Sequence, residues 1–550
     1  MKNQAGLLQE KSITQNTMIT YSQSETVLNS RTKLINYHYD LIPSTQLLAR
    51  EQVNNLIPVP DQWYLYTSNG QSGGIGQHDR KWESPYGLNV YATYCFFLKQ
   101  EVSTIVLYIP PIVGLSVTQV LESYDIKCSL KWTNDILINQ KKVSGILSEC
   151  TNEDRGGFVS VLTGIGINVN SEYKHLSNIL QPATSMKIET GRNYDLKEVI
   201  YKLSNIFETN INSLIINNFK IFKVPIEQHL EKFDNLPIIF DTTSDSPDRY
   251  IVGFIKGIGN EGELLLTIKN TEKEKSFFNG RILRGKEIEQ ALSNTSVLEK
   301  LISKIHFDTI DSTQVYAKNH LNLIQNDWKV VVADYQNEGI GLSGDGISPR
   351  KQSILATFLL PHPNKLNDLQ LDQIAALSVL NTLKECGVTQ EIKIKWQNDV
   401  QVQGKKVSGI LTEILDYNNH KICLIGIGIN INQDEESLKE VNQPITSLKI
   451  AVNSESNLSV EEIFLLLEKN LYLNITTASQ YGYEYSKADI ESNLAFLNTV
   501  VKVFDEDTKT NLIGKLIGLG DVGSLLIDSD SIHEVINGKI SIDYNDSIYM

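Results

Sequence analysis

Residues 131–149 read KWTNDILINQKKVSGILSE, and residues 395–413 read KWQNDVQVQGKKVSGILTE. Twelve of these 19 positions are identical, at an offset of 264. Each stretch carries β-branched residues on either side of a polar turn, Asn139-Gln140 or Gln403-Gly404, so each is expected to fold as a strand hairpin. Other pairs keep almost the same offset and the same order. Ser44-Thr45-Gln46 answers Ser312-Thr313-Gln314, and GIG at 74–76 answers GIG at 339–341. GIGIN at 164–168 answers GIGIN at 426–430, PATS at 182–185 answers PITS at 444–447, and Asn279-Gly280 answers Asn537-Gly538. One unit of about 260 residues is therefore written twice, a tandem rather than a solenoid, whose period would be about 20–50 residues.

Outward from the hairpin, both copies share a plan. A helix is expected after Ser-Thr, then a strand ending at the glycine loop, QWYLYTS or WKVVVADYQ. A second strand follows (LNVYATYCFFL, SILATFLL), then a helix of period 3.6, clearest in LDQIAALSVLNTLKECG. After the hairpin come a glycine-punctuated strand and a closing helix, giving an α+β domain with a mixed sheet backed by helices. Each unit ends in short strands with Gly turns, expected as a small barrel. The expected boundaries are a flexible lead-in at 1–33, large domains at 34–225 and 300–485, and small domains at 226–290 and 486–550.

Fifty basic against 65 acidic residues give a net charge of −15, which argues against a protein built to hold nucleic acid by its phosphates. The five cysteines (Cys95, Cys128, Cys150, Cys386, Cys423) are scattered without C-x-x-C, fitting reduced, cytoplasmic thiols. The most apolar stretch, Thr104 to Val117, carries Pro110 and Pro111 and is too short for a membrane span. The first 30 residues lack the apolar core of a signal peptide. No His or carboxylate spacing reads as a metal site.

The KW-x-ND hairpin followed by K-x-x-G-I-L-x-E resembles the biotin protein ligase family, and the other repeated motifs occur in that family's order. The resemblance covers about 34–285 and 300–545, without a winged-helix DNA-binding domain. It implies a biotin/lipoate ligase-like catalytic domain followed by a small SH3-like barrel, the unit occurring twice. It implies attack of biotin's carboxylate on ATP with Mg²⁺, giving biotinyl-5′-adenylate. A lysine on a biotin-carrier domain of a carboxylase then takes the biotinyl group. Two anions must meet in that first step, so cationic and N–H donors are needed around the transferring oxygens.

By the same resemblance, Lys142 is the catalytic lysine that contacts both carboxylate and phosphate. Ser44, Thr45, Gln46, Gln71, Gly74, Ile75, Gly76, Gln77 and Gly145 join it in holding biotin. His78, Arg80, Trp82, Asn134, Asp135 and Asn168 fall on the nucleotide side. Ser44 also suits a helix N-cap, Asn134-Asp135 a turn, and Trp132 and Trp396 either an adenine contact or sheet packing. The second copy's equivalents are Ser312, Thr313, Gln314, Gln336, Gly339, Gly341, Asn398, Asp399, Lys406, Gly409 and Asn430.

The family's arginine-rich loop, G-R-G-R-R-G-R-x-W, is depleted in both copies. Copy 1 reads GIGQHDRKW at 74–82 and keeps Arg80, Lys81 and Trp82; copy 2 reads GIGLSGDGISPR at 339–350, with Ile347 at the tryptophan position. Copy 1 is therefore expected to be the better catalyst. Two alternatives stay open: a non-catalytic biotin-binding or carboxylase-docking protein, and a lipoate or octanoate ligase or transferase. Pairing of the two copies as an intramolecular pseudo-dimer is a further expectation.

Overall fold

The computed structural model describes residues 8–14, 17–77, 80–99, 106–151, 156–176, 179, 181–231, 233, 237–244, 248–271, 273–324, 327–338, 351–363, 365–439 and 443–542. The chain divides into two compact units, Met1–Asp234 with Phe240–Ile282, and Asn235–Ile239 with Leu283–Met550.

The first large sheet contains β1 (Leu8–Thr14), β2 (Thr17–Val27), β3 (Lys33–Ile42), β4 (Gln62–Gln71), β5 (Val90–Lys99), β6 (Ser129–Lys131), β7 (Asp135–Ile138), β8 (Lys141–Thr151) and β9 (Phe158–Ile167), in the order β1-β2-β3-β4-β5-β9-β8-β7-β6. Only β3 and β4 run parallel; the other neighbours are antiparallel. The helices that matter are α1 (Thr45–Gln52), α2 (Ile109–Glu122) and α3 (Leu196–Asn217). Strand β5 is apolar on both faces because both are covered. Tyr94 and Phe96 pack with Trp63 and with Phe207 of α3, Trp63 stacking on Phe96 at 4.5 Å. Cys95 and Phe97 point the other way, into a core with Leu48 and Ala49 of α1. The period of two along β5 thus separates a helix-backed face from the face that carries α1 and, at Thr93, the cleft described below. Pro110 and Pro111 fall in the first turn of α2, where a missing N–H costs nothing. Among the described residues no helix is long and apolar enough to cross a membrane.

The lead-in expected to be flexible is instead paired from Leu8 onward. β1 and β2 form a hairpin laid along β3, with register Tyr21↔Tyr39 through Val27↔Lys33. The Tyr21 ring lies 5.4 Å from Tyr37 and 5.5 Å from Tyr39. A polar strand suffices here because it satisfies the backbone of what would otherwise be an open edge and needs little apolar contact.

The small sheet of the first unit contains β10 (Ile238–Asp241), β11 (Tyr250–Ile258), β12 (Leu264–Ile268), β13 (Glu274–Phe277) and β14 (Arg281–Ile282), ordered β13-β12-β11-β10-β14, and is the SH3-like part. Its Asp241 is fully buried and held by Arg249 (2.9 Å) and Arg281 (3.0 Å). Burial alone would raise this carboxyl; the two guanidiniums and the Thr243 N–H outweigh it and lower it. The stabilisation is therefore present above the ordinary aspartate pKa and lost as pH falls through the depressed one. Because both arginines keep solvent contact, Asp241→Ala is expected to cost about 2 kcal/mol, read from denaturant melts at neutral pH, with the difference from wild type shrinking in acid.

The second unit repeats the architecture. Its large sheet contains β15 (Ile302–Phe307), β16 (Trp328–Ala333), β17 (Ser353–Pro361), β18 (Ile392–Lys395), β19 (Asp399–Val402), β20 (Lys405–Tyr417) and β21 (His420–Asn430), in the order β15-β16-β17-β21-β20-β19-β18. The matching helices are α4 (Thr313–Asn319), α5 (Asp368–Glu385) and α6 (Val460–Tyr481). The small sheet, β22 (Val500–Asp505), β23 (Thr510–Leu519), β24 (Leu525–Asp528), β25 (Ile532–Val535) and β26 (Gly538–Ile542), is ordered β25-β24-β23-β22-β26 and antiparallel throughout. The fold is α+β, a mixed sheet with helices followed by an SH3-like sheet, occurring twice.

Candidate active site

The hairpin of residues 131–149 positions the central lysine. Asn139 and Gln140 both have positive φ (49° and 67°), as do Gln403 and Gly404 (49° and 73°), the backbone of a tight two-residue hairpin turn. Just beyond the turn the β7–β8 register slips: Ile136 faces Ser144, but Leu137 faces Lys142. Val143 is thus an extra residue, and a bulge flips the side-chain alternation. In a regular strand Lys142 and Gly145 would point to opposite faces; here a Cβ on Gly145 would lie 3.2 Å from Lys142 Cε. The same slip occurs between Val400 and Gln401.

Lys142 Nζ meets Asp135 Oδ1 at 2.6 Å, and Lys131 Nζ lies 3.6 Å from Oδ2. Burial would raise the Asp135 carboxyl, but Lys142, Lys131 and Arg80 outweigh it and hold it below the usual carboxylate range. The backbone of Lys142 is clamped from outside the sheet: its N–H donates to Pro182 O and its carbonyl accepts from Thr184 N, both at 2.9 Å. Asn168 is buried, and its amide donates to Thr184 O at 3.1 Å. The repeated PATS and GIGIN motifs together hold this clamp.

The lysine opens on a cleft. Of the residues expected from the sequence, Ser44, Thr45, Gln46, Gln71, Ile75, Gly76, Gln77, Trp82, Asn134, Lys142 and Gly145 line it. Ser44 caps α1, accepting from Gln46 N at 3.2 Å. Gln71 Oε1 accepts from Thr45 N at 2.8 Å and from its hydroxyl at 3.2 Å, and Gln71 Nε2 donates to Ser84 Oγ at 2.9 Å. Thr93 Oγ1 donates to Thr45 Oγ1 at 2.9 Å. Asn134 Nδ2 donates to Ile146 O at 3.1 Å. The loop closes on itself through Gly76 N to Arg80 O (2.7 Å) and Trp82 N to Gly74 O (2.8 Å).

Trp82 lies across the sheet where glycines remove the side chains beneath it. A Cβ on Gly166 would be 2.5 Å from its Cε2, and one on Gly145 2.8 Å from its Cζ3. Lys142 Nζ is 5.5 Å from the ring centroid. Two buried donors among the lining residues have no protein acceptor, Gln46 Nε2 and Trp82 Nε1. A buried donor left without a partner costs about 1–3 kcal/mol.

Four expected residues are not on the cleft wall. Gly74 is needed for closeness, since a Cβ there would meet Trp82 O at 2.6 Å. Arg80 is exposed and acts through its charge on Asp135. Asp135 holds the lysine from behind, and Asn168 serves the clamp. His78 lies outside the described residues. Trp132 turns away from the cleft, donating to Gly262 O in the turn between β11 and β12 at 3.4 Å, and Trp396 does the same to Gly523 O between β23 and β24 at 3.2 Å. Both therefore pack rather than face a nucleotide. Thr93, Tyr91, Ile146, Leu147, Gly164, Ile165 and Gly166 line the cleft without having been expected. The signal for Thr93 was present: Ala92-Thr93 recurs as Ala356-Thr357, at the offset of the hairpin.

In the second unit Thr313 N and Oγ1 donate to Gln336 Oε1 at 2.7 and 2.9 Å, and Thr357 Oγ1 donates to Thr313 Oγ1 at 2.9 Å. Ser312 caps α4. Lys406 Nζ meets Asp399 at 2.6 Å. Asn398 Nδ2 donates to Ile410 O and Asn430 Nδ2 to Thr446 O. Gly339 and Gly341 lie outside the described residues. Among those described, nothing covers the glycines as Trp82 does: a Cβ on Gly428 meets only Gly409 O, at 4.0 Å.

A family described as Biotin/lipoate A/B protein ligase matches residues 40–168 and 306–432. The Bifunctional ligase/repressor BirA of Bacillus subtilis (strain 168) is 30% identical over 255 residues, covering 44% of this chain and 74% of that protein. The protein of the same name from Escherichia coli (strain K12) is 27% identical over 197 residues, covering 36% of this chain and 59% of that one. The solved structure of biotin protein ligase from Aquifex aeolicus in complex with biotin and ATP is 31% identical, with TM-score 0.38, covering 43% of this chain and 97% of that one.

Proposed function

The chain belongs to the Biotin/lipoate A/B protein ligase family and is a biotin protein ligase; from that premise we propose that it attaches biotin to a lysine of a carboxylase's biotin-carrier domain through biotinyl-5′-adenylate, working in the cytoplasm with the first unit as its active site. The observation that carries this reading is the cleft onto which Lys142 opens, walled by the donors and acceptors of Ser44, Thr45 and Gln71. A polar ureido head supplies acceptors for such donors, and its acyl chain suits the apolar Ile75, Ile146 and Leu147.

In the first step a biotin carboxylate oxygen attacks the α-phosphorus of ATP and pyrophosphate leaves. Lys142 offsets the charge where the two anions meet. Asp135 holds the ammonium in place, and Lys131 keeps Asp135 charged. In the second step the acceptor amine attacks the acyl carbon, AMP departs with the bonding pair, and the amine gives up a proton. Trp82 and the turn at Gly74–Gln77 keep water from the mixed anhydride. Magnesium enters with ATP as part of the substrate, since Asp135 is already held by two lysines.

The test is exchange of labelled pyrophosphate into ATP by the full chain, followed by transfer to an isolated biotin-carrier domain. Exchange is expected with biotin and not with lipoate or octanoate. Exchange driven by lipoate alone would replace this substrate assignment with the other branch of the family.

A further inference from the structure

The two units differ in what holds one glutamate beside the cleft. In the first, the Arg50 guanidinium takes both oxygens of Glu149, with Nε to Oε2 at 2.7 Å and Nη2 on Oε1. Gln46 Nε2 is then left buried without a protein acceptor. In the second, Lys318 stands on α4 where Arg50 stands on α1, and it bonds Glu413 through Oε2, at 2.6 Å. The other oxygen, Oε1, accepts from Gln314 Nε2 at 3.2 Å.

The two glutamines are otherwise placed alike. Their Oε1 atoms lie 3.3 Å from Thr93 Oγ1 and 3.1 Å from Thr357 Oγ1. A Cβ on Gly164 or Gly426 would meet those oxygens at 2.6 and 2.7 Å. The amides therefore point the same way, and the partner of the glutamate decides whether the N–H is free. A planar guanidinium satisfies two carboxylate oxygens at once, whereas an ammonium is a point donor that leaves the second oxygen to be filled.

We propose that Arg50 is a positioning residue for biotin: by occupying both oxygens of Glu149 it keeps the Gln46 amide N–H for the ligand, while the Lys318–Glu413–Gln314 chain closes the corresponding donor in the second unit. The inference rests on the reading that the first cleft binds biotin. It assigns the tighter biotin site by a contact outside the cleft wall, independent of the arginine-depleted loop.

The experiment is calorimetric titration of the full chain with biotin, without nucleotide, alongside pyrophosphate exchange kinetics. One tight site is expected for the wild type. Arg50→Lys is expected to weaken biotin binding about tenfold, as loss of one buried hydrogen bond would. KM for biotin rises with it, while KM for ATP and kcat stay as in the wild type. Adding Glu149→Ala to Arg50→Lys removes the competing acceptor and is expected to restore affinity, which no purely structural role for Arg50 would allow. Binding unchanged in Arg50→Lys, or not restored in the double variant, overturns this inference alone. A wild type that binds no biotin overturns both it and the functional reading.

Discussion

Lys142→Ala is expected to lower biotin-dependent pyrophosphate exchange about a thousandfold, the upper range for removing one donor from a developing anion, while Lys406→Ala leaves exchange within about twofold. The first lysine is aimed into a cleft that holds two unpartnered donors and is covered by an indole. The second has the same ion pair, with Asp399 at 2.6 Å, but Gln314 is already bonded to Glu413 and no tryptophan follows in its loop. The fold is expected to tolerate Lys142→Ala, because Lys131 remains as a partner for Asp135. Loss of exchange in Lys406→Ala with Lys142→Ala unaffected would move the active site to the second unit.

The second large effect comes from a single methyl group. Gly166→Ala places a Cβ 2.5 Å from Trp82 Cε2 and 2.7 Å from Nε1, so the indole must leave its seat. Overpacking of this kind costs about 1–3 kcal/mol, so biotin affinity is expected to fall about thirtyfold. The change is also expected to appear in the tryptophan fluorescence. Gly428→Ala is the matched control: its Cβ finds only Gly409 O at 4.0 Å among described atoms, and affinity is expected to stay unchanged. Equal losses in the two variants would show that Trp82 does not form the working wall.

Much of this was readable from residues alone, and the misses have physical causes. The repeat, the hairpins and the alternation of sheet and helix follow from local periodicity and motif order, and most of the cleft wall was named through the family resemblance that those motifs carry. The β1–β2 hairpin was not readable, because polar strands at the end of a sheet owe their order to the neighbours they pair with and not to their own hydrophobicity. Trp132 was open between an adenine contact and packing, and its indole donates instead to Gly262 O in the turn between β11 and β12. Thr93 lay inside an apolar run, and only its recurrence as Thr357 marked it in the sequence.

The sequence by itself determined that the molecule is one α+β unit twice over, and that the loops at 74–82 and 339–350 differ in the residues they keep. Those are properties of order and spacing along the chain. Tertiary structure decided the rest. A bulge at Val143 turns Lys142 onto the face of Gly145, which alternation counted along the strand would have denied it. A side chain one helical turn past Gln46, arginine in one unit and lysine in the other, decides whether a buried amide is free to meet a ligand. Both depend on atoms brought together from distant positions, where a shift of one residue or one hydrogen bond changes which way a donor points.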